Sequence, residues 1–507
     1  MQTPTSRSRR VIDWFSQPAI FRAIIVLLIV QAAWIALSGR YPMAFDEDFH
    51  LGIIRLYAHH LSPFWSGQPA GANVYGAVAR DPSYLYQYLM SFPYRLISAM
   101  TANQTAQVLV LRGVNIALLA SSLPLYRRLF RKTGASVAVV HLSLLIFVLI
   151  PVVPLLAAQI NYDNLFIPLT GLSLLLTVRI VEELRQYQRL HTPRLMVLLI
   201  VCLLTSLVKY AFLPIFMILL AYILFHCWRA FPSRRKFLYS LGFGATLIGR
   251  RARWLLLICL VLAGGLFIER YGINTLRYHT PIPACDKVLS TQQCSAYGPW
   301  IRDYNFAINK VDEAHNPLVY SGDWLQGMWL RLFFAVDGPA TQFQTRGPLA
   351  VPAIGAIVVT VSGAALLLVY GRRIIRHYNP RVITLFIIAS FGYIGLLFID
   401  EYQAYAQTGQ PVAINGRYLL PVLPLLLLLA CLAFQQLLGR KRPGFKTAAA
   451  GAAVLIMVWG GGALTYILRS NPSWYWQNAA VRRANFVVQE SVGPLVPGYR
   501  TPTQFLH

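Results

Sequence analysis

Residues 20–38 read IFRAIIVLLIVQAAWIALS, and Phe45-Asp46-Glu47-Asp48-Phe49-His50 follows a few residues later. The first run carries one charge, Arg22, and as a helix it is long enough to cross roughly 30 Å of hydrocarbon. Arg7, Arg9 and Arg10 precede it, with no small-residue cleavage site, so it reads as a retained signal anchor. Ten further runs of comparable character lie near 106–126, 136–157, 163–180, 195–208, 211–228, 254–268, 349–370, 382–399, 418–437 and 447–466. The fold class is therefore an all-α polytopic membrane protein with about 11 transmembrane helices. Composition agrees: of 507 residues 56% are hydrophobic and 12% charged, against about 25% charged in soluble domains. That balance excludes a cytosolic enzyme, a disordered chain and a small disulfide-stapled secreted module.

The charges orient the bundle. Basic clusters recur at every second connection: Arg127–Lys132, Arg179–Arg194, Arg229–Arg253, Arg372–Arg381 and Arg440–Lys446. With the N-terminal tail and Arg22 they hold 27 of the 45 Lys and Arg but only Asp13, Glu182 and Glu183 of the 18 acids. The positive-inside rule makes that side cytoplasmic. The net charge of +27 is thus a topology signal, and no nucleic-acid partner is implied. The organisation expected is a basic cytoplasmic tail over 1–19 and a membrane module over 20–466. Its outward loops are 39–105 and 269–348, carrying surface helices, and an outward tail spans 467–507. The run 195–228, interrupted by Lys209 and Pro214, reads either as a hairpin or as one broken helix. Cys285 and Cys294 sit together in the second outward loop, where a disulfide suits an oxidising compartment.

Several polar groups resist a purely structural explanation. Asp46, Glu47 and Asp48 stand in a row just after the first span. A helix continuing through Leu51, Ile54 and Leu61 would align Asp46 with His50 and set Glu47 beside them. Asn161-Tyr162-Asp163-Asn164 occupies an outward turn, where Asp163 also suits a helix N-cap. Lys209 ends a span on the outward side, where snorkelling is the plain alternative. Arg417, in Asn415-Gly416-Arg417-Tyr418, places positive charge outward against the bias. Arg112 lies inside an apolar helix, and a charge there costs roughly 3 kcal/mol on insertion scales, so it must meet a carboxylate or a phosphate.

Phe45-Asp46-Glu47-Asp48-Phe49-His50 resembles the first-loop Asp-Glu motif of the membrane glycosyltransferases of the GT-C superfamily. The motif is similar to that of the protein O-mannosyltransferases, with Phe-Asp-Glu followed by His-Phe, and the bacterial lipid A aminoarabinose transferases resemble it in architecture. Asp81-Pro82-Ser83-Tyr84-Leu85-Tyr86 resembles the start of the second helix in that loop. Asp163 falls where a second acid often occurs, and Gly416-Arg417-Tyr418 with Pro421 and Pro424 resembles a late motif. The extra acid Asp48 departs from the pattern.

The resemblance implies transfer of a sugar from a polyprenyl-phosphate-linked monosaccharide to an extracytoplasmic glycan, lipid or protein, with inversion. Asp46 would be the catalytic base and Glu47 would assist it. Lys209, Arg417, Tyr418 and Arg112 would bind the donor phosphate. His50, Asp163 and Asp48 would serve the acceptor or a secondary site. A divalent metal (Mg or Mn) is left open, with Asp46, Glu47, His50 and Asp163 as its ligands. The setting implied is the bacterial inner membrane, with the site on its outer face. Two alternatives share these features: a transporter or flippase of lipid-linked substrates, and a polysaccharide polymerase or ligase.

Overall fold

A computed structural model describes residues 6–43, 46–310, 316–333, 351–412, 414–439, 443–460, 462–470 and 472–495. Its regular elements are helices, and the only β pairing among the described residues is an isolated Gly39–Tyr475 bridge. Eight helices are long and apolar enough to cross a membrane: Pro18–Ser38, Gln104–Arg131, Asp163–Tyr187, Tyr210–Ala230, Arg250–Tyr278, Ile357–His377, Pro380–Thr408 and Gly444–Leu468. Shorter apolar helices, Val137–Leu149, Thr192–Val208 and Leu423–Leu437, fill the remaining three positions. Taken in chain order they match the eleven expected runs one for one, and they are numbered here as the first to eleventh spans.

The short spans are short for local reasons. Val137–Leu149 stops ahead of Pro151, whose ring cannot continue the helical bonding, and Val152–Ala157 resumes the path. Thr192–Val208 ends where Lys209 adopts an extended backbone (φ −153°, ψ 122°). The chain then turns through Tyr210–Phe212 and runs back down as Leu213–Ala230. Tyr222 of the returning helix donates to the Arg381 carbonyl at 2.8 Å. Residues 195–228 are therefore two antiparallel spans, with Lys209 at their apex, at the end opposite the basic connections.

The basic connections meet at one end of the bundle. Lys132 pairs with Glu182 at 2.7 Å, Arg194 pairs with Glu183, and Asn379 N–H donates to the Thr133 carbonyl at 2.9 Å. The basic N-terminal segment is helical over Ser6–Phe15.

At the other end, residues 39–105 include two helices, Glu47–Ala58 and Leu85–Met100, packed on each other. The first stops at Ala58, short of Leu61. This loop joins the second one through Arg80, which meets Glu269 at 3.2 Å, and through Arg270, which donates to the Ala79 and Pro63 carbonyls. A π turn over Ile268–Gly272 carries both Glu269 and Arg270. Cys285 and Cys294 are disulfide-bonded. Residues 311–315 and 334–348 of the second loop lie outside the described residues, as do 496–507 of the outward tail. The described part of that tail folds back on the first span. Trp476 N–H donates to the Ser38 carbonyl at 3.0 Å, and Trp34 Nε1 donates to Asn485 Oδ1 at 2.9 Å.

Candidate functional site

The site is built on one buried ion pair. Arg112, from the second span, grips Glu47 with both arms, Nε to Oε1 at 2.8 Å and Nη2 to Oε2 at 2.7 Å. Its remaining nitrogen, Nη1, donates to the Ala36 carbonyl at 2.8 Å and the Gly39 carbonyl at 2.6 Å, capping the first span. Glu47 in turn accepts from Met43 N–H at 2.8 Å and Ile160 N–H at 3.2 Å. Neither side chain has any exposed surface. Two spans, the first outward loop and the turn before the fourth span are thus locked together. Removing one partner from such a pair costs about 3–5 kcal/mol, because the other is left charged and buried.

A second brace lies one turn further along the second span. Asn115 Oδ1 accepts from Tyr86 Oη at 2.8 Å, from Asn164 Nδ2 at 3.0 Å and from Asn161 N–H at 3.3 Å. Asn164 also donates to the Leu156 and Gln159 carbonyls, and Asn161 Oδ1 accepts from Asp163 N–H at 2.9 Å. The Asn-Tyr-Asp-Asn turn is therefore a hydrogen-bonded knot that fixes where Asp163 points. The Asp163 side chain does not cap its helix. Its Oδ1 accepts from Lys209 Nζ at 2.6 Å, the pair being 2% and 5% exposed. Lys209 does not snorkel: it is buried, with its ammonium 4.5 Å from the Tyr162 ring centre and 5.1 Å from that of Tyr418.

Asp46 stands apart. It precedes the helix, in the left-handed region at φ 66°, which few non-glycine residues adopt. One oxygen accepts from Arg417 Nη2 at 2.6 Å. The aspartate side chain is 58% exposed, whereas that of the arginine is 6% exposed. Desolvation pushes the Asp46 carboxyl up, but the Arg417 guanidinium, helped by Lys209, outweighs it and holds the group below the usual carboxylate range. Arg417 sits in the short helix Gly416–Leu419, close against Pro317–Phe333. Gly416 permits that approach, since a β-carbon there would clash with the Met328 carbonyl and lie 2.7 Å from Leu332 N.

His50 is buried and meets Gln87 at Nδ1, 3.2 Å away. The amide is best oriented with its nitrogen donating to the Ser83 and Tyr84 carbonyls, so that its oxygen accepts the Nδ1 proton. Burial lowers the pKa of the imidazole to about 3, so His50 is neutral at physiological pH. Ser83 Oγ accepts from Tyr210 N–H at 3.0 Å, tying the Asp81–Tyr86 segment to the Lys209 apex. Asp48 is exposed in the first turn of its helix.

The expected residues thus divide in two. Asp46, Lys209, Arg417, Tyr418 and Asp163 gather at the end of the bundle opposite the basic connections, with His50 and Tyr162 behind them. Arg112 and Glu47 face each other instead of this group, and their polar atoms are occupied. Arg112 meets the carboxylate, not a phosphate. The four residues expected as metal ligands do not form a donor set. Glu47 is engaged on both oxygens, Asp46 and Asp163 each hold a cationic side chain, and His50 Nδ1 holds Gln87. Among the described residues no three His, Cys, Asp or Glu are arranged for a metal. Asn115, Tyr86, Gln87 and Asn164 had no expected role. An asparagine inside an apolar helix, three residues after a buried arginine, was the visible sign of them.

A family model described as "Predicted membrane protein (DUF2142)" matches residues 56–426. No curated protein matches the chain. Among solved structures the chain is similar to the oligosaccharyltransferase of Archaeoglobus fulgidus in three forms. In complex with zinc and sulfate it is 12% identical over 95% of this chain and 58% of that one, with a TM-score of 0.39. Tethered to an acceptor peptide containing the NVT sequon the figures are 11%, 94%, 59% and 0.40. With an inhibitory peptide and a dolichol-phosphate they are 12%, 96%, 60% and 0.38. The chain spans about three fifths of the length of those proteins, and a likeness at this level decides neither activity nor site.

Proposed function

The chain belongs to the DUF2142 family of predicted membrane proteins, and we propose that it is a glycosyltransferase moving a sugar from a polyprenyl-phosphate-linked monosaccharide to an extracytoplasmic hydroxyl. One observation carries this reading. Of the three consecutive acids, only Asp46 is both accessible and held against a buried outward cation, Arg417, with Lys209 close by.

The chemistry follows from that arrangement. The acceptor oxygen attacks the anomeric carbon as the bond from that carbon to the phosphate oxygen breaks. Asp46 takes the hydroxyl proton, and the phosphate leaves with the bonding pair, its charge met by Arg417 and Lys209. A single displacement inverts the anomeric centre. Arg417 has a double use, because its fork suits phosphate as well as carboxylate. As it turns to the donor, Asp46 loses the cation that lowers its pKa and becomes a stronger base. Donor binding therefore arms the base. Glu47 and Arg112 are positioning residues in this scheme, and Asp163 keeps Lys209 in place.

The setting proposed is a bacterial inner membrane with the site on its outer face. The test is transfer of a labelled sugar from a synthetic polyprenyl-phosphate monosaccharide by the purified chain in membranes. Product with the opposite anomeric configuration supports the reading. Binding or movement of the donor across the bilayer without transfer to any acceptor would favour a transporter.

A further inference from the structure

The opposite end of the bundle holds a cavity of about 500 Å³ that the proposed reaction does not use. It lies between the fourth, sixth and ninth spans. Its walls are graded along the membrane normal. The fourth span descends to the cytoplasm and presents Val178 and Val181, then Glu182 and Arg185, on one face at helical spacing. The ninth span climbs from the cytoplasm and presents Arg381 first, then Val382 and Leu385. Both helices therefore place apolar side chains deep and cations at the cytoplasmic rim.

The charges are unbalanced. Lys132, Arg185 and Arg381 face the cavity against a single acid, Glu182, and Glu182 is already paired with Lys132. The guanidinium groups of Arg185 and Arg381 have no ion pair or hydrogen bond among the described residues. Arg381 is half-buried, held in place by its carbonyl, which accepts from Tyr222. Two unengaged arginine forks, Arg185 exposed and Arg381 half-buried, line one cavity and fit the phosphate of a lipid headgroup.

We propose that this cavity binds the headgroup of an anionic phospholipid from the cytoplasmic leaflet, its phosphate between Arg185 and Arg381, with the acyl chains outside the cavity. Basic pockets between spans on the cytoplasmic side have the chemistry for this. The proposal stands whether or not the outward site transfers sugars.

Native mass spectrometry of the full chain, with defined lipids added in detergent, tests it. Phosphatidylglycerol should be retained about tenfold or more over phosphatidylcholine, and Arg185→Gln with Arg381→Gln should remove that preference. Glu182→Gln deletes the one competing acid and should strengthen retention. Equal retention of the two lipids, a preference unchanged in the double variant, or weaker retention in Glu182→Gln would each overturn the proposal. So would displacement of the lipid by low-millimolar inorganic phosphate, which would mark a site for free anions.

Discussion

Glu47 and Asp46 are neighbours in sequence, each bound to an arginine, and they live in opposite circumstances. Glu47 has both oxygens filled by Arg112 and two backbone amides, with no exposure. Asp46 gives one oxygen to Arg417 and keeps most of its side chain open. The comparison shows what separates a structural ion pair from a chemical one. It is not the residue types or the distance, 2.7 Å against 2.6 Å, but whether any bonding capacity is left for a third party.

The difference breaks most visibly at the closed pair. Arg112→Met should destabilise the chain by about 3–5 kcal/mol, seen as loss of folded protein in thermal unfolding. Adding Glu47→Leu should recover much of it, since replacing both members of a buried pair by apolar groups is often neutral. An Arg112→Met protein that is stable but weak in donor binding would move Arg112 into the phosphate site.

Lys209–Asp163 lies between the extremes, buried like the closed pair yet beside the open one. Lys209→Gln should lower both stability and donor affinity. In the Lys209→Gln, Asp163→Asn double variant the stability should return while donor affinity stays reduced by roughly tenfold or more, because only the first effect comes from an uncompensated charge. Recovery of both would make the lysine purely structural.

The open pair also predicts a pH signature. The Asp46 carboxyl is held below the usual range, so the free protein keeps it ionised above about pH 4, and the pair is lost only as pH falls through that depressed value. The acid limb of kcat/KM, which reports the free protein, should therefore lie below about pH 4. The limb of kcat reports the donor-bound protein, where Arg417 has turned to phosphate, and should lie higher. In Arg417→Gln the two limbs should converge. Coincident limbs in the unaltered chain would show that Arg417 does not exchange partners.

Much of this was legible in the sequence. All eleven spans follow from apolar runs and alternating charge, because lipid permits little else and the positive-inside bias is strong. Arg112 was visible as a charge in need of a partner. What selected Glu47 over Asp46 and Asp48 as that partner was not visible, because the choice depends on how the first span stops at Gly39 and where Ile160 presents its amide. Helical spacing aligned Asp46 with His50, but Asp46 lies outside the helix in a left-handed turn, a local conformation that no periodicity encodes. Lys209 resembled a snorkelling residue because its acid lies 46 positions away, in another turn.

The account rests on Asp46 as the base, and Asp46→Asn tests it most directly. The substitution keeps the shape, and the asparagine oxygen can still accept from Arg417. Labelled-sugar transfer should fall by roughly 10²-fold or more while donor binding and thermal stability hold near those of the unaltered chain, and Asp48→Asn should change none of the three. Near-normal transfer by Asp46→Asn, with transfer abolished by Asp163→Asn, would contradict the account and move the base to the turn before the fourth span.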